Sequence, residues 1–351
     1  MRIRSIRGII ALLASVLILT GLLYACNSPL GGSGQKEALL WRLHGHKWWV
    51  EKVTWSPDGK YIAACSSDNS VQVWEAATGN RVTELTNFQG GVYNLAWSPD
   101  GNYLATDSSG PMSVEKIWDV KTWNVIHILE LPVNVLGRGI SWSPDSQTLA
   151  IVGSEGVLLW DITAERIAGR LDLVAGALSP AWSPDGKSIA FATAEDSHSS
   201  EGYIAIWHPY TGVGSQNVTD IQALPGDAGL PHRIAWSPDS QRLASSGNNT
   251  IPVWDVASGK NIASLKGHSM EVKSVDWSPD GKSIASGSSD GTTRIWNVAD
   301  GSNMAIYKHG DMVLDVEWSP DGQFLASASG DHDVYLWRVT ADNSAPSPTR
   351  P

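Results

Sequence analysis

The element Trp-Ser-Pro-Asp occurs seven times in this chain, starting at Trp55, Trp97, Trp142, Trp182, Trp236, Trp277 and Trp318. The copies stand 42, 45, 40, 54, 41 and 41 residues apart, and the next residue is Gly in five of them and Ser in two. Eighteen to twenty-five residues after each comes a second tryptophan that closes a short apolar run: Trp74, Trp118, Trp160, Trp207, Trp254, Trp296 and Trp337. A period near 41 residues requires one supersecondary unit repeated along the chain, each copy burying its apolar faces on its neighbours. The two series use 14 of the 18 tryptophans, so repetition explains the lopsided aromatic content. With 34 Gly and 18 Pro, the composition speaks for short strands joined by turns and against a helical bundle.

The sixth unit reads strand by strand. Glu271 to Trp277 alternates polar and apolar residues, Ser278-Pro279-Asp280-Gly281 is a turn, and Ser283 to Ser286 resumes an extended run. Ser289-Asp290-Gly291 turns again, Thr292 to Trp296 forms a third strand, Ala299-Asp300-Gly301 turns once more, and Asn303 to Tyr307 makes a fourth. The expectation is four antiparallel strands in one sheet.

Gly267-His268, the Trp277 turn, Ser286, Asp290 and Arg294-Ile295-Trp296-Asn297 resemble one WD repeat, and the likeness runs in phase from residue 38 to 339. It implies an all-β fold, a seven-bladed β-propeller with four-stranded blades around a central channel. Residues 312 to 339 hold three strands with no fourth, while Ala38 to Leu43 stands as an orphan strand before the first unit. In this family such a strand completes the last blade and closes the ring, which removes an exposed sheet edge.

The resemblance also implies a buried tetrad of His, Ser or Thr, Asp and Trp in each unit. Units six (His268, Ser286, Asp290, Trp296) and seven (His309, Ser327, Asp331, Trp337) carry all four members. Unit one has His46 and Asp68 but Ala64 in place of the hydroxyl, and units two to five lack the histidine. Unit four carries an insertion, Ala194 to Glu201, expected on the face of the loops that lead into the innermost strands.

Arg2, Arg4 and Arg7 precede a 16-residue stretch of weakly polar residues from Ile9 to Tyr24, which ends at Leu23-Tyr24-Ala25-Cys26. This layout resembles a bacterial lipoprotein signal, cut before a cysteine that is then acylated, although Tyr24 is bulkier than the residue usual there. An uncleaved anchor helix or an ordinary signal is the alternative. Both readings export the rest of the chain, held by lipid at Cys26 in the first case, to the outward face of the cell membrane or to an outer membrane. The expected organisation is a signal peptide over 1–25, a flexible tether over 26–37, the propeller over 38–340 and a disordered tail over 341–351. Acyl chains on Cys26 would make the membrane one partner.

The net charge of −11 becomes −14 once residues 1–25 and their three arginines are removed, the wrong sign for a protein that grips nucleic acid by its phosphates. Two cysteines, Cys26 and Cys65, leave no disulfide scaffold or cysteine zinc cluster, and Cys65 reads as a buried, inert thiol. His44 and His46 have metal-like spacing without a matching ligand cluster, and Asp331-His332-Asp333 reads as a structural turn. With no nucleophile elbow or phosphate-cradling loop, the sequence nominates no catalytic residue, no metal site and no cofactor, and the propeller reads as a monomer.

What remains is a binding surface. In the resembling family the residues three and five past the histidine position project at the channel mouth. Carried over, these are Trp49 and Glu51, Gly91 and Tyr93, Leu136 and Arg138, Gly176 and Leu178, Leu230 and His232, Glu271 and Lys273, and Met312 and Leu314. With Trp48 beside Trp49, the set has the composition of a protein-binding hot spot, and Glu51, Arg138, Glu271 and Lys273 would set register. The competing reading is that these side chains fill the mouth against one another. The functional expectation is a scaffold docking a protein or peptide. The alternatives are a Tol-type envelope propeller, a small-molecule sensor, and an enzyme with its site in the channel.

Overall fold

Seven four-stranded antiparallel sheets are built from the described residues of the computed structural model, which are 38–109, 114–130, 139–173, 175–194, 202–209, 221–225 and 231–339. They are the blades of an all-β, seven-bladed propeller. The sixth blade shows the plan, with strands Val272–Trp277, Ser283–Ser288, Thr292–Asn297 and Asn303–Lys308 pairing in chain order. Val313–Trp318, Phe324–Ser329 and Val334–Arg338 give the last blade three strands, and Leu39–Leu43 is the fourth, with Leu43 opposite Val334 and Leu39 opposite Trp337. The first strand of the domain therefore closes the ring, as the orphan strand implied.

The repeated turn explains itself chemically. In unit one Ser56 Oγ donates to Asp58 Oδ1 at 2.7 Å and accepts the Tyr61 N–H at 2.8 Å, while the same aspartate oxygen takes the Lys60 N–H at 3.1 Å. Gly59 sits at φ +71, in the left-handed region that glycine enters without a Cβ penalty. The two serine variants pay for that conformation with a hydrogen bond: Ser146 (φ 60) accepts the Asp100 N–H at 3.0 Å and Ser240 (φ 59) that of Asp185 at 3.1 Å. Each thereby ties its turn to that of the preceding blade.

The core lies between blades. Trp55 is 4% exposed in a cluster that joins Val53 and Ile62 of unit one to Ala326, Val334 and Leu336 of unit seven, and clusters of the same kind stand between the other blades. Three of the first tryptophans also bridge blades by hydrogen bonds, Trp55 Nε1 to the Glu317 carbonyl at 3.2 Å, Trp142 to Ala96 at 3.0 Å and Trp236 to Ala181 at 2.9 Å. Burying an indole this fully contributes about 3 kcal/mol or more per site.

Every innermost strand runs toward its Trp-Ser-Pro-Asp turn. The turns therefore share one face of the ring, the turn face, and the loops leading into the innermost strands share the other, the mouth face. Leu39–Leu43 starts at the turn face. The signal segment, Cys26, the tether, the tail, residues 195–201 of the unit-four insertion, and the candidates Leu136, Arg138 and Leu230 lie outside the described residues.

Candidate functional site

The histidine tetrads fix the mouth-face loops, and no two are alike. In unit six His268 Nδ1 meets Asp290 Oδ2 at 2.9 Å, its Nε2 meets Ser286 Oγ at 2.8 Å, and Trp296 Nε1 donates to the same hydroxyl at 2.8 Å. The chain of bonds from loop to core is complete. Unit seven, expected to match it, does not. His309 Nε2 meets Ser327 Oγ at 2.7 Å and Trp337 Nε1 donates there at 2.9 Å, but His309 Nδ1 is buried without a partner. Asp331 has been drawn away: its Oδ2 accepts the Tyr335 hydroxyl at 2.5 Å and Arg42 Nη2 at 3.3 Å. Burial then depresses the His309 imidazole to about 4. In unit one His46 Nδ1 keeps Asp68 at 3.2 Å, and Ala64 leaves Nε2 buried and unpaired. Phe88 takes the histidine position of unit two, 5.8 Å from Trp118, whose indole donates to Thr106 Oγ1 at 3.0 Å.

His44 and His46 diverge: His44 Nδ1 meets Asp333 Oδ1 at 2.6 Å across the ring closure, and Arg42 Nε donates to Asp333 Oδ2 at 2.6 Å. Among the described residues no group of three or more His, Cys, Asp or Glu is arranged to hold a metal ion. Cys65 is fully buried, and burial pushes its thiol well above the usual range.

At the mouth, Glu51, Tyr93, His232, Lys273 and Leu314 come together with Leu178, Asn94, Ser179 and Arg233 around a cup of about 280 Å³. Glu271 accepts from Lys273 at 2.5 Å and pairs with His232 Nε2 at 2.6 Å. Burial opposes the charge of Glu271, but these two partners hold its carboxyl below the usual range. Glu51 moves the other way, raised by burial despite a hydrogen bond from Ser67. Around the cup, Trp49 is 45%, Tyr93 44% and Trp48 62% exposed, and Met312 is half-buried.

The sequence reading missed the channel itself. Arg233 crosses it, donating from Nη1 to Asn94 Oδ1 at 3.1 Å and from Nε to Asp315 Oδ1 at 3.4 Å, and so links units five, two and seven. Asp315 also accepts from Ser274 Oγ at 2.6 Å and from the Val53 N–H at 3.1 Å. Asn94 Nδ2 continues the line to Asp107 Oδ2 at 3.3 Å, and Asp107 stands opposite Glu115, whose two oxygens are buried without a hydrogen-bond partner. Burial raises both carboxyls, and the Asp107 charge raises Glu115 further. Arg233 borders both the mouth cup and a second cavity of about 420 Å³ that opens on the turn face. The available signal was the alternation before each first tryptophan: positions three and one residue before it, such as Lys52 and Thr54 or Asp315 and Glu317, point to the axis.

Residues 37–75, 79–110, 219–255, 259–297 and 301–338, more than half of the chain, match the family model described as WD domain, G-beta repeat. The chain is also similar to Protein HIR1 of Kluyveromyces lactis, with 27% identity over 62% of this chain and 23% of that protein. It is 27% identical to the anaphase-promoting complex subunit cdc20 of Dictyostelium discoideum over 63% of this chain and 43% of that one. Small ribosomal subunit protein RACK1y of Oryza sativa subsp. japonica is 25% identical over 62% of this chain and 77% of its own length. The chain thus spans less than half the length of the first two relatives.

Proposed function

This chain belongs to the WD-repeat family, and on that premise we propose that it is a non-enzymatic docking platform, exported and lipid-anchored at Cys26, whose mouth face holds a protein or peptide. The observation that carries the docking claim is the exposure of Trp49 and Tyr93 beside a cup in which Leu178 and Leu314 stand among the charges of Glu271, Lys273 and Arg233. Exposed aromatic anchors next to a polar, ion-paired rim are the composition of an interface that buries rings and selects partners by charge. Two relatives, a subunit of the anaphase-promoting complex and a small ribosomal subunit protein, carry the names of assembly members.

The anchor rests on the basic, apolar and Leu-Tyr-Ala-Cys layout of residues 1–26. Trp49→Ala with Tyr93→Ala should abolish capture of the partner from intact cells while the melting temperature stays near that of the parent chain. A lowered melting temperature with capture intact would make both residues packing groups and reject this face.

A further inference from the structure

The cavity on the turn face is built from two unlike walls. On the side of units six, seven and one stand Asp276, Glu317, Thr54 and Lys52; on the side of units two to five stand Ala96, Ser141, Ala181 and Ala235. The polar wall is held in place by the backbone of the next blade: Asp276 Oδ2 accepts the Trp318 N–H at 2.8 Å, and Glu317 Oε1 accepts the Trp55 N–H at 3.1 Å and Thr54 Oγ1 at 3.0 Å. The three alanines at the equivalent positions reach nothing comparable and form an apolar arc between the tryptophan edges, and the hydroxyl of Ser141 among them is taken by the Trp182 N–H at 3.2 Å. Asp315 is committed to Arg233 and Ser274. Lys52 is the exception, since Asp315 and Glu317 act on its ammonium only through space, without a hydrogen bond.

We propose that this cavity binds a free apolar α-amino acid as its zwitterion, the ligand carboxylate on Lys52, its ammonium on Asp276 and Glu317, and its side chain on the alanine arc. A volume of about 420 Å³ accommodates a ligand of that size, with few convergent polar groups against an apolar wall. The charge balance selects the zwitterion. An amine alone leaves the Lys52 ammonium unmatched, and an acid alone faces two carboxyls. Burial and the nearby Arg233 depress Lys52, and burial lifts Asp276 to about 7 and Glu317 to about 8, so a ligand ammonium arriving beside these carboxyls would be matched by their release of protons to solvent. The site lies on the face opposite the docking cup, so it stands or falls independently of the docking claim.

The test is calorimetric titration of the purified full-length chain with L-phenylalanine and L-leucine, alongside phenethylamine, which lacks the carboxylate, and 3-phenylpropanoate, which lacks the ammonium. The expected result is saturable binding of one amino acid per chain, weakened about tenfold or more by removing either charged group. Lys52→Met should weaken L-phenylalanine to the same degree, and Ala235→Leu should exclude it by filling the apolar arc. Lys52→Gln serves as a second variant should Ala235→Leu fail to fold, and Ile262→Ala, on an exposed outer strand, should leave binding unchanged. The proposal is overturned by absence of saturable binding of both amino acids to the folded chain. It is equally overturned by phenethylamine binding as tightly as L-phenylalanine, or by affinity that survives Lys52→Met.

Discussion

In units one and six a single hydroxyl decides whether the buried histidine is satisfied at Nε2. Ser286 serves both His268 and Trp296, whereas unit one offers Ala64 at the same place and leaves His46 Nε2 without a partner. Ala64→Ser should therefore stabilise the chain, by about 1 kcal/mol in urea unfolding, because it pairs an orphaned nitrogen without adding bulk beyond one oxygen. Ser286→Ala should cost about 2 kcal/mol in the same assay, since two buried donors or acceptors lose their partner together. The histidine and aspartate positions were legible from the repeat, and so was the missing hydroxyl of unit one. The broken link between His309 and Asp331 was not, because it depends on Tyr335, four residues from Asp331, reaching that carboxylate first. Spacing records which residues are present and carries no information on which of two partners an oxygen takes.

At the scale of the element, ring closure depends on how the strand Leu39–Leu43 is held. Its main chain pairs with Val334–Arg338, and beside that ladder Arg42 and His44 both grip Asp333, which is 5% exposed. Removing the carboxylate strands two donors at the one seam of the propeller where the chain is not continuous. Asp333→Ala should cost about 3 kcal/mol and Arg42→Ala about half as much, with faster unfolding as the first symptom in stopped-flow denaturation. The strand itself could be read from the sequence as an orphan before seven units. Its ionic clasp could not, since Asp333 had been assigned only to a turn and its partners lie some 290 residues earlier in the chain.

For the whole molecule, closing the ring gathers charges that the sequence scatters over four units. Lys52, Arg233, Asp276 and the pair Asp315 and Glu317 come from units one, five, six and seven and meet only on the axis, which is why unit-by-unit reading named the rim and not the residues that line the channel. This crowding has a consequence for pH. Asp276, at 3.8 in the unfolded chain and about 7 when folded, keeps a proton that the unfolded chain releases between those values, so its contribution to stability is lost as pH rises through that window. Glu317, Asp107 and Glu115 are raised in the same sense, by burial first. His309, depressed from 6.5 to about 4, and His268, depressed in the same direction, act oppositely, favouring unfolding as pH falls through their window. Four carboxyls outweigh two imidazoles, so the melting temperature should be higher near pH 5 than near pH 8. Asp276→Asn should remove part of that slope, gaining more stability at pH 8 than at pH 5. Docking at the mouth is the central claim, and a photo-crosslinking side chain placed at Tyr93 in intact cells tests it directly, with Ile262, 53% exposed on an outer strand, as the control position. The account predicts one adduct of discrete mass from position 93 and none from position 262; no adduct at 93, or the same products from both, would contradict it.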